Sequence, residues 1–348
     1  MSKVINTALV GFGMSGEYFH APFLNADPGF ILMKVVERHG EKSKQLYPYI
    51  KVAKDFQEVL EDKSIDLIIV NTPNHLHYEM AKKALLACKH VVVEKPFAAS
   101  ASEAEELIKI AANQKRILTV FQNRRWDGDF MTARKIIQDK LLGELVEFES
   151  HFDRFRNFIK PNTWKEELLP GTGLLYDIGP HLIDQAVCLF GKPKTIFADL
   201  RTERPGGKII DCFEIIMHYE QLKVTLKSNF LSKIPLPRFT LHGTEGSFVK
   251  YGLDPQEDAL KLTGLKNLDE WGREAQEFWG MIDTSFNGVQ IKKKIETMAG
   301  NYPAFFRNLY GTIAEGSELA VKPEEALMTM RIIESAIESN NQKKVIEF

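Results

Sequence analysis

The sequence predicts an α/β fold in two halves, the first built on a parallel sheet and the second on a mostly antiparallel sheet. In the first half, short apolar runs alternate with helical segments, which is typical of βαβ units. From Trp126 onward, strand patterns follow one another with few helices between them, which favours antiparallel pairing. The length of 348 residues suggests about two domains, and we place them at 1–124 and 125–348.

The periodicities locate the elements of both halves. In the first half, we predict strands at 3–10, 31–36, 65–71, 91–93 and 118–121, and helices at 17–24, 55–62, 78–87 and 102–113. In the second half, we predict strands at 145–155, 195–201, 212–219, 223–230, 238–242, 247–250 and 345–348, and helices at 130–142, 176–190, 305–316 and 324–340. With so few helices, the second sheet has one face to expose to solvent or to another subunit.

Composition narrows the class of protein. The chain is 44% hydrophobic and 26% charged with a net charge of −2, so it has no basic field for nucleic acid or for a membrane surface. Its apolar runs are too short to span a bilayer, and the N-terminus lacks a signal-peptide core. Three separated cysteines, Cys88, Cys188 and Cys212, indicate reduced thiols. We therefore expect a cytoplasmic protein without a metal site.

A glycine-rich loop follows the first predicted strand. The motif comprises Gly11, Phe12, Gly13, Met14, Ser15 and Gly16 and leads into a predicted helix. In a dinucleotide-binding turn of this form, the first glycine permits the tight turn and the second lets the pyrophosphate approach the backbone. The third permits close packing of helix on strand, and the helix N-terminus faces the phosphates. The order strand, motif, helix predicts a Rossmann domain that binds NAD or NADP.

The second predicted strand ends at Glu37 and Arg38, where such a domain senses the cofactor's ribose. A glutamate there accepts hydrogen bonds from the 2′-hydroxyl of NAD, whereas an arginine pairs with the 2′-phosphate of NADP. Both side chains are equally compatible with a solvated loop. We expect NADP to be favoured through Arg38, with NAD as the alternative.

Two further strand ends carry polar residues. Thr72, Pro73, Asn74 and His77 follow the strand at 65–71, and Asn74 or His77 could touch the nicotinamide side of the cofactor. The alternatives are an Asn74 helix cap and a surface histidine, with His75 equally open.

The stretch His90-Val91-Val92-Val93-Glu94-Lys95-Pro96 is the centre of the predicted site. A β-branched run suits a strand buried on both faces, and proline ends it because it has no N–H for the ladder. Lys95 then lies at the carboxyl edge of the sheet, where open α/β sheets bind ligands. The alternative is a solvated lysine at a strand end.

A predicted helix in the second half, Tyr176–Phe190, carries three polar residues at a spacing of i, i+4 and i+7: Asp177, His181 and Asp184. A carboxylate next to an imidazole raises its pKa and can fix its orientation, so the stripe suits proton transfer. A core histidine beside a carboxylate that favours the helix N-terminus is the alternative.

These motifs together resemble the glucose-fructose oxidoreductase / inositol dehydrogenase / MocA family, in particular the scyllo-inositol dehydrogenase-like subgroup. The resemblance rests on GFGMSG, on TPNHLHYEMAKKALLACKHVVVEKP, on QNRRWD, on YDIGPHLIDQ and on RFTLHGTEGSFVKYGLDPQEDAL, and so covers nearly the whole chain. Cys88 departs from the family, which usually has glycine there. The resemblance implies a Rossmann domain followed by an α+β domain with a large, open, mostly antiparallel sheet.

The resemblance also implies roles for particular residues. The lysine of its E-K-P motif works near the nicotinamide, and its proline is often cis; here these residues are Glu94, Lys95 and Pro96. Its D-x-x-x-H pair lies beside that lysine and corresponds to Asp177 and His181. Asn123 would then contact the cofactor. The residues expected to line the substrate mouth are Arg124, Trp126, Trp164, Asp177 and His181.

We therefore expect an NAD(P)-dependent enzyme that oxidises a secondary alcohol of a sugar or cyclic polyol as a homodimer or homotetramer formed through the second sheet. His181 would act as acid/base, Asp177 would orient it, and Lys95 would polarise the carbonyl oxygen or pass the proton itself. Two alternatives stay open. One is a non-catalytic dinucleotide-binding regulator, and the other is a reductase of a different carbonyl or imine. A solvated arginine pair at 124–125 is the alternative to a substrate mouth there.

Overall fold

The structure, a computed structural model, describes residues 3–265, 271–286 and 288–348. These residues divide into two compact units, which are described separately below. Unit 1 holds 3–123 together with the later segments 256–265 and Tyr302–Leu327, and unit 2 holds the rest. The first boundary lies at Asn123/Arg124, one residue before the predicted cut. The two later segments belong to unit 1 because the helices within them pack against its helical segments 16–20 and 21–26. The domain bounds 1–124 and 125–348 stay a prediction.

Six parallel strands form the sheet of unit 1, in the spatial order β3-β2-β1-β4-β5-β6. Their bounds are β1 Ile5–Val10, β2 Phe30–Val36, β3 Lys51–Ala53, β4 Leu67–Val70, β5 His90–Val93 and β6 Leu118–Val120. This order is that of a doubly wound dinucleotide-binding sheet, in which the strand order reverses beside β1. The predicted Rossmann fold is therefore confirmed.

Helices connect these strands. A π-helical turn at Gly16–His20 leads into α1 Ala21–Ala26, and the others are α2 Lys42–Leu46, α3 Gln57–Leu60, α4 His77–Leu86 and α5 Ala101–Gln114. Ser100 caps the start of helix α5, where its hydroxyl accepts the Glu103 N–H at 3.3 Å. The Glu103 carboxylate in turn accepts the Ala99 N–H at 3.0 Å. Each bond satisfies a backbone N–H at a helix start, which explains why α5 begins there.

After α4, the chain turns at Cys88 with a φ of +58°. This left-handed conformation is the one that glycine adopts without a steric cost, and helices very often end in it. The turn therefore explains why glycine is usual in the family at this position. The thiol itself lies on the surface, where it donates to the Gln114 side chain at 3.3 Å.

Unit 2 contains a nine-stranded sheet in the order β14-β13-β12-β11-β7-β10-β9-β8-β15. Its strands are β7 Leu145–His151, β8 Thr195–Arg201, β9 Cys212–His218, β10 Lys223–Asn229, β11 Phe239–Gly243, β12 Gly246–Lys250, β13 Gly280–Phe286, β14 Val289–Ile295 and β15 Ile346–Glu347. Among the strands that the structure describes in this sheet, only β7 and β10 pair in parallel. The predicted, mostly antiparallel sheet is confirmed, and β9 and β10 form a hairpin within it. The strand predicted at 145–155 ends earlier, at His151.

The remaining helices are α6 Gly128–Gln138, α7 Leu174–Asp177, α8 Gly179–Phe190, α9 Gln256–Thr263, α10 Pro303–Glu315 and α11 Pro323–Gln342. Helices α9 and α10 belong to unit 1, and α6 to α8 belong to unit 2. The sequence did not predict α2, β3, α9 or β13. Across the residues that the structure describes, no helix is both long and apolar enough to cross a membrane.

Candidate functional site

The glycine loop after β1 is compact at two of its glycines and open at the third. Gly11 has a φ of +99°, and a Cβ there would lie 2.4 Å from the Asn71 carbonyl oxygen. A Cβ on Gly16 would lie 2.8 Å from the Gly11 carbonyl oxygen. Around Gly13, in contrast, a Cβ would meet no atom within 4 Å. The fold therefore requires Gly11 and Gly16, whereas the open backbone at Gly13 fits the approach of a cofactor diphosphate.

The other residues of the loop face different ways. Met14 is 50% exposed, while Phe12 is buried at 9%. The Ser15 hydroxyl points back into the protein and donates to the Glu94 carboxylate. Asn71, which the sequence did not single out, donates from its side chain to the Gly11 carbonyl at 3.3 Å. Its position after β4, next to β1 in the sheet, was the available signal, because ligands bind where the strand order reverses.

The residues after β2 separate into two roles. Glu37 is buried, and its carboxylate accepts the backbone N–H groups of Lys42 at 3.1 Å and Ser43 at 2.9 Å, together with the Ser43 hydroxyl. These bonds satisfy the free N–H groups at the start of α2. Arg38 is exposed. Glu37 thus holds α2 in place, and Arg38 is left on the surface.

His77 is completely buried at the start of α4. Its ring nitrogens lie 2.7 Å from the Pro96 carbonyl oxygen and 2.9 Å from the Thr72 carbonyl oxygen. Burial lowers its pKa, although the two carbonyl groups oppose that shift. The interpretation as a surface histidine is wrong. Because both ring nitrogens face backbone carbonyls, a role in joining the loops after β4 and β5 fits His77 better than a ligand contact.

Asn74 begins a short 3-10 turn, Asn74–Leu76, and no side-chain cap precedes that turn. Thr72, Pro73 and Asn74 are each half-buried in the same loop. These residues and Gly13 follow the neighbouring strands β4 and β1. Contact with a cofactor stays a prediction for all three.

The turn after β5 has the predicted form. Val91, Val92 and Val93 are fully buried, and the strand ends before the Lys95–Pro96 peptide, which is cis as the resemblance implies. Lys95 is half-buried at the carboxyl edge of the sheet. Its backbone N–H donates to the neighbouring Glu94 carboxylate at 3.1 Å. Strand β5 lies beside β4, which lies beside β1, so Lys95 and the glycine loop occupy the same edge of one sheet.

The arginines that follow β6 are not solvated. In unit 2, Arg124 is 7% exposed, and one of its guanidinium nitrogens lies 3.2 Å from the Asp127 carboxylate. The guanidinium carbon of Arg124 lies 4.8 Å from the centre of the Phe152 ring. Arg125 binds the Asp184 carboxylate through two hydrogen bonds of 2.7 Å. The interpretation as a solvated pair is therefore wrong, because buried guanidinium groups must be paired. Asn123, in unit 1, is also buried.

The helix predicted at 176–190 is interrupted. Helix α7 ends at Asp177 and α8 begins at Gly179, with Pro180 in its first turn. Proline has no N–H to donate, and its ring clashes with a preceding helical carbonyl, so the helix breaks before it. The prediction of one continuous polar stripe was wrong for this reason. Asp184 instead accepts two hydrogen bonds from the Arg125 guanidinium.

Asp177 and His181 flank this break. His181 is 5% exposed, whereas the Asp177 side chain is 32% exposed, with its carboxylate 4.0 Å from the guanidinium of Arg154. Arg154 itself lies over the Phe152 ring at 5.1 Å. The sequence analysis did not connect Arg154 with Asp177. A carboxylate with a guanidinium neighbour suits the binding of a hydroxylated ligand.

Trp126 and Trp164 are both half-buried in unit 2. Trp164 begins a 3-10 turn, and the Lys165 ammonium lies 5.8 Å from the centre of its ring. Substrate contact stays a prediction for these two tryptophans.

Comparison with known proteins agrees with the fold. Residues 5–122 match the oxidoreductase family's NAD-binding Rossmann fold, and 134–348 match the same family's C-terminal alpha/beta domain. Oxidoreductase YdgJ of Escherichia coli is 38% identical, with 99% of each chain covered. IolW of Bacillus subtilis, a scyllo-inositol 2-dehydrogenase (NADP(+)), is 35% identical over 98% of this chain and 95% of its own.

A solved structure of an oxidoreductase from Bacteroides fragilis is 46% identical, with a TM-score of 0.92 and coverage of 99% of this chain and 100% of that chain. The two family descriptions together cover both halves of the sequence, and each of these relatives matches both halves. The chain therefore belongs to the glucose-fructose oxidoreductase / inositol dehydrogenase / MocA family of oxidoreductases.

Proposed function

We propose that this oxidoreductase transfers a hydride between NADP and a secondary alcohol or ketone of a sugar or cyclic polyol. The observation that carries the proposal is the geometry of unit 1. There, the open backbone at Gly13 and the half-buried Lys95 lie at one edge of a single parallel sheet. The similarity to IolW, whose name states a scyllo-inositol substrate and NADP(+), supports an inositol-like polyol.

Each candidate residue has a separate role in the proposed reaction. When bound, the nicotinamide supplies the position that accepts or donates the hydride. His181 takes the proton of the substrate hydroxyl, and Asp177 orients His181 or binds a neighbouring hydroxyl. Lys95 stabilises the developing negative charge on the substrate oxygen as a cation. These assignments follow the family pattern onto Lys95, Asp177 and His181.

NADP is proposed as the preferred cofactor because of the residues after β2. The Glu37 carboxylate is committed to the backbone at the start of α2, so it is poorly placed to accept from a ribose hydroxyl. Arg38 is exposed, and a guanidinium pairs well with a phosphate. Arg38→Ala should weaken NADPH binding about tenfold or more while changing NADH binding little. Equal losses for both cofactors, measured by fluorescence titration, would contradict this preference.

The second sheet is proposed as the surface of a cytosolic homodimer or homotetramer. Met281 of β13 is 41% exposed and pairs with the half-buried Val249 of β12 on the same face, so this face presents apolar side chains that a second copy would cover. Light scattering at several protein concentrations would show a monomer if this part of the proposal is wrong.

The experiment that tests the activity is a screen of inositols and sugars with NADP and NAD, followed by reduced-nicotinamide absorbance. With the best substrate, Lys95→Ala and His181→Ala should each lower kcat by roughly 100-fold or more, with NADPH affinity retained. The exposed residues Lys83 and His218 provide matched controls, since Lys83→Ala and His218→Ala should leave kcat unchanged. Persistent turnover in the first two variants would refute the assignment. Tight NADPH binding with no turnover across the panel would favour a regulator.

A further inference from the structure

A buried carboxylate lies beneath the candidate cofactor site. Glu94, the residue after β5, is 7% exposed. One of its oxygens accepts hydrogen bonds from the Ser15 hydroxyl and from His20 Nε2 at 2.8 Å, and the other accepts the Lys95 N–H at 3.1 Å. Three donors around one carboxylate are enough to hold it as an ordered anion in the interior.

His20 makes its contact with Glu94 from the interior of unit 1. It is 0% exposed, and its ring lies against Phe121 with 4.4 Å between ring centres. Because a carboxylate only accepts, the His20 Nε2 must carry the proton and donate it. Burial by itself would raise the pKa of Glu94, but the bonds from His20 and Ser15 and the nearby charge of Lys95 outweigh it and lower that pKa. Glu94 is therefore ionised at neutral pH.

The donors come from separate parts of the site. Ser15 belongs to the glycine loop after β1, and Lys95 belongs to the turn after β5, with strand β4 between β1 and β5 in the sheet. His20 lies in the π-helical turn that follows the glycine loop. The Glu94 side chain therefore reaches across strand β4 and connects the glycine loop to the Lys95 turn through hydrogen bonds.

We propose that Glu94 is a positioning residue that fixes the glycine loop and the Lys95 turn as one rigid unit, with His20 as its buried donor. This inference rests on the proposed function, in which the glycine loop binds the cofactor and Lys95 meets the substrate oxygen. Pre-ordering both loops reduces the conformational cost of binding NADPH. A shift of either loop by an ångström would then change both cofactor affinity and the placement of Lys95.

The first experiment measures NADPH affinity by fluorescence titration in two variants of His20. His20→Leu fills the space but leaves the ionised Glu94 short of a buried donor, so the dissociation constant should rise roughly tenfold or more. His20→Gln retains an amide N–H for Glu94 and should recover most of the affinity.

The matched control is His90→Leu. His90 begins β5 at the opposite end of the strand from Glu94, and its Nδ1 accepts the Ile117 N–H at 3.0 Å. That variant should lower the melting temperature and leave NADPH affinity unchanged. A merely structural role for His20 would make His20→Leu behave like His90→Leu, and this result would overturn the proposal.

The second experiment is a double-mutant cycle, which stays informative if His20→Leu does not fold. Ser15→Ala, Glu94→Gln and the double variant are titrated with NADPH. If Ser15 acts through Glu94, the loss in the double variant should be no larger than in Glu94→Gln alone. Additive losses would instead indicate that Ser15 contacts the cofactor independently, and would overturn the coupling.

Both experiments use cofactor binding, so they do not depend on the substrate. Failure to find a polyol substrate while the cycle is non-additive would refute the proposed activity and leave the positioning role intact. If the wild type turns over a polyol but His20→Leu, Ser15→Ala and Glu94→Gln all bind NADPH with unchanged affinity, the positioning role is refuted. The proposed activity then stands.

Discussion

The two sheets bury their side chains in different ways. In the parallel sheet, all four residues of β4, Leu67–Val70, are 0% exposed, so this strand is buried on both faces. In the nine-stranded sheet, β9 alternates, with Ile215 fully buried and Ile216 half-buried. Helices cover both faces of a parallel sheet, whereas an antiparallel sheet can leave one face to solvent. The same residue types therefore have different surroundings in the two units.

This difference determines where polar groups can lie. The buried middle of β4 and β5 offers no place for a charge, so the polar groups of that part of unit 1 gather at the strand ends, as Asn71 and Glu94 do. In unit 2, charges enter the interior with partners. Arg238 is 2% exposed, donates to the Gln185 side chain at 2.7 Å and lies 3.3 Å from the Asp129 carboxylate.

The largest loss of stability is expected when a buried ion pair of unit 2 is broken. In Asp184→Asn, Arg125 keeps its charge but loses the anion that binds it through two hydrogen bonds. Removing one partner of a buried pair costs about 3–5 kcal/mol in free energy of unfolding. Urea denaturation followed by circular dichroism measures this loss.

An exposed pair provides the control for the same substitution. Lys135 and Asp139 lie 2.8 Å apart at i, i+4 with side chains 62% and 43% exposed. Asp139→Asn should cost no more than about 0.5 kcal/mol. Equal effects at Asp184 and Asp139 would mean that burial does not distinguish the two pairs.

A second prediction compares neighbouring isoleucines in the two sheets. Ile68→Ala and Ile69→Ala in β4 should each cost about 2–5 kcal/mol, because each removes a fully buried side chain. In β9, Ile215→Ala should fall in the same range, and Ile216→Ala should cost roughly half as much. Denaturation midpoints of the four variants test the difference. A full cost at Ile216 would show that its face of the sheet is covered in solution, for instance by a second copy.

The smallest effect on stability is expected at a connection between two parallel strands. Such strands are joined by helical crossovers, and the crossover helix α4 is followed by the tight turn at Cys88. Cys88→Gly places glycine where φ is +58° and removes about 1–2 kcal/mol of strain. The greater freedom of glycine in the unfolded chain offsets about 0.5–1 kcal/mol. The variant should therefore melt slightly higher, while Cys88→Ala, which keeps a Cβ, should gain nothing. An equal rise in both variants would assign the effect to loss of the thiol.

Local rules predicted unit 1 well. The parallel sheet, the glycine loop and the end of β5 before the Lys95–Pro96 peptide followed from β-branched runs, glycine spacing and a proline. The same reasoning failed at Pro180, because helical spacing was given more weight than the missing proline N–H. The surface alternative for His77 and the solvated alternative for Arg124 and Arg125 were also wrong, because burial there depends on partners farther along the chain, such as Pro96 and Asp184.

The sequence by itself determined which residues reach the edge of the parallel sheet, because strand ends are set by the residues on either side of them. Only the tertiary structure decided which of those residues face open space and which turn inward. Ser15 binds Glu94 across strand β4, and Glu37 binds the start of α2, although both occupy positions that the motif assigns to a cofactor. A buried polar group must find a partner, and the identity of that partner is set by the packing of distant segments.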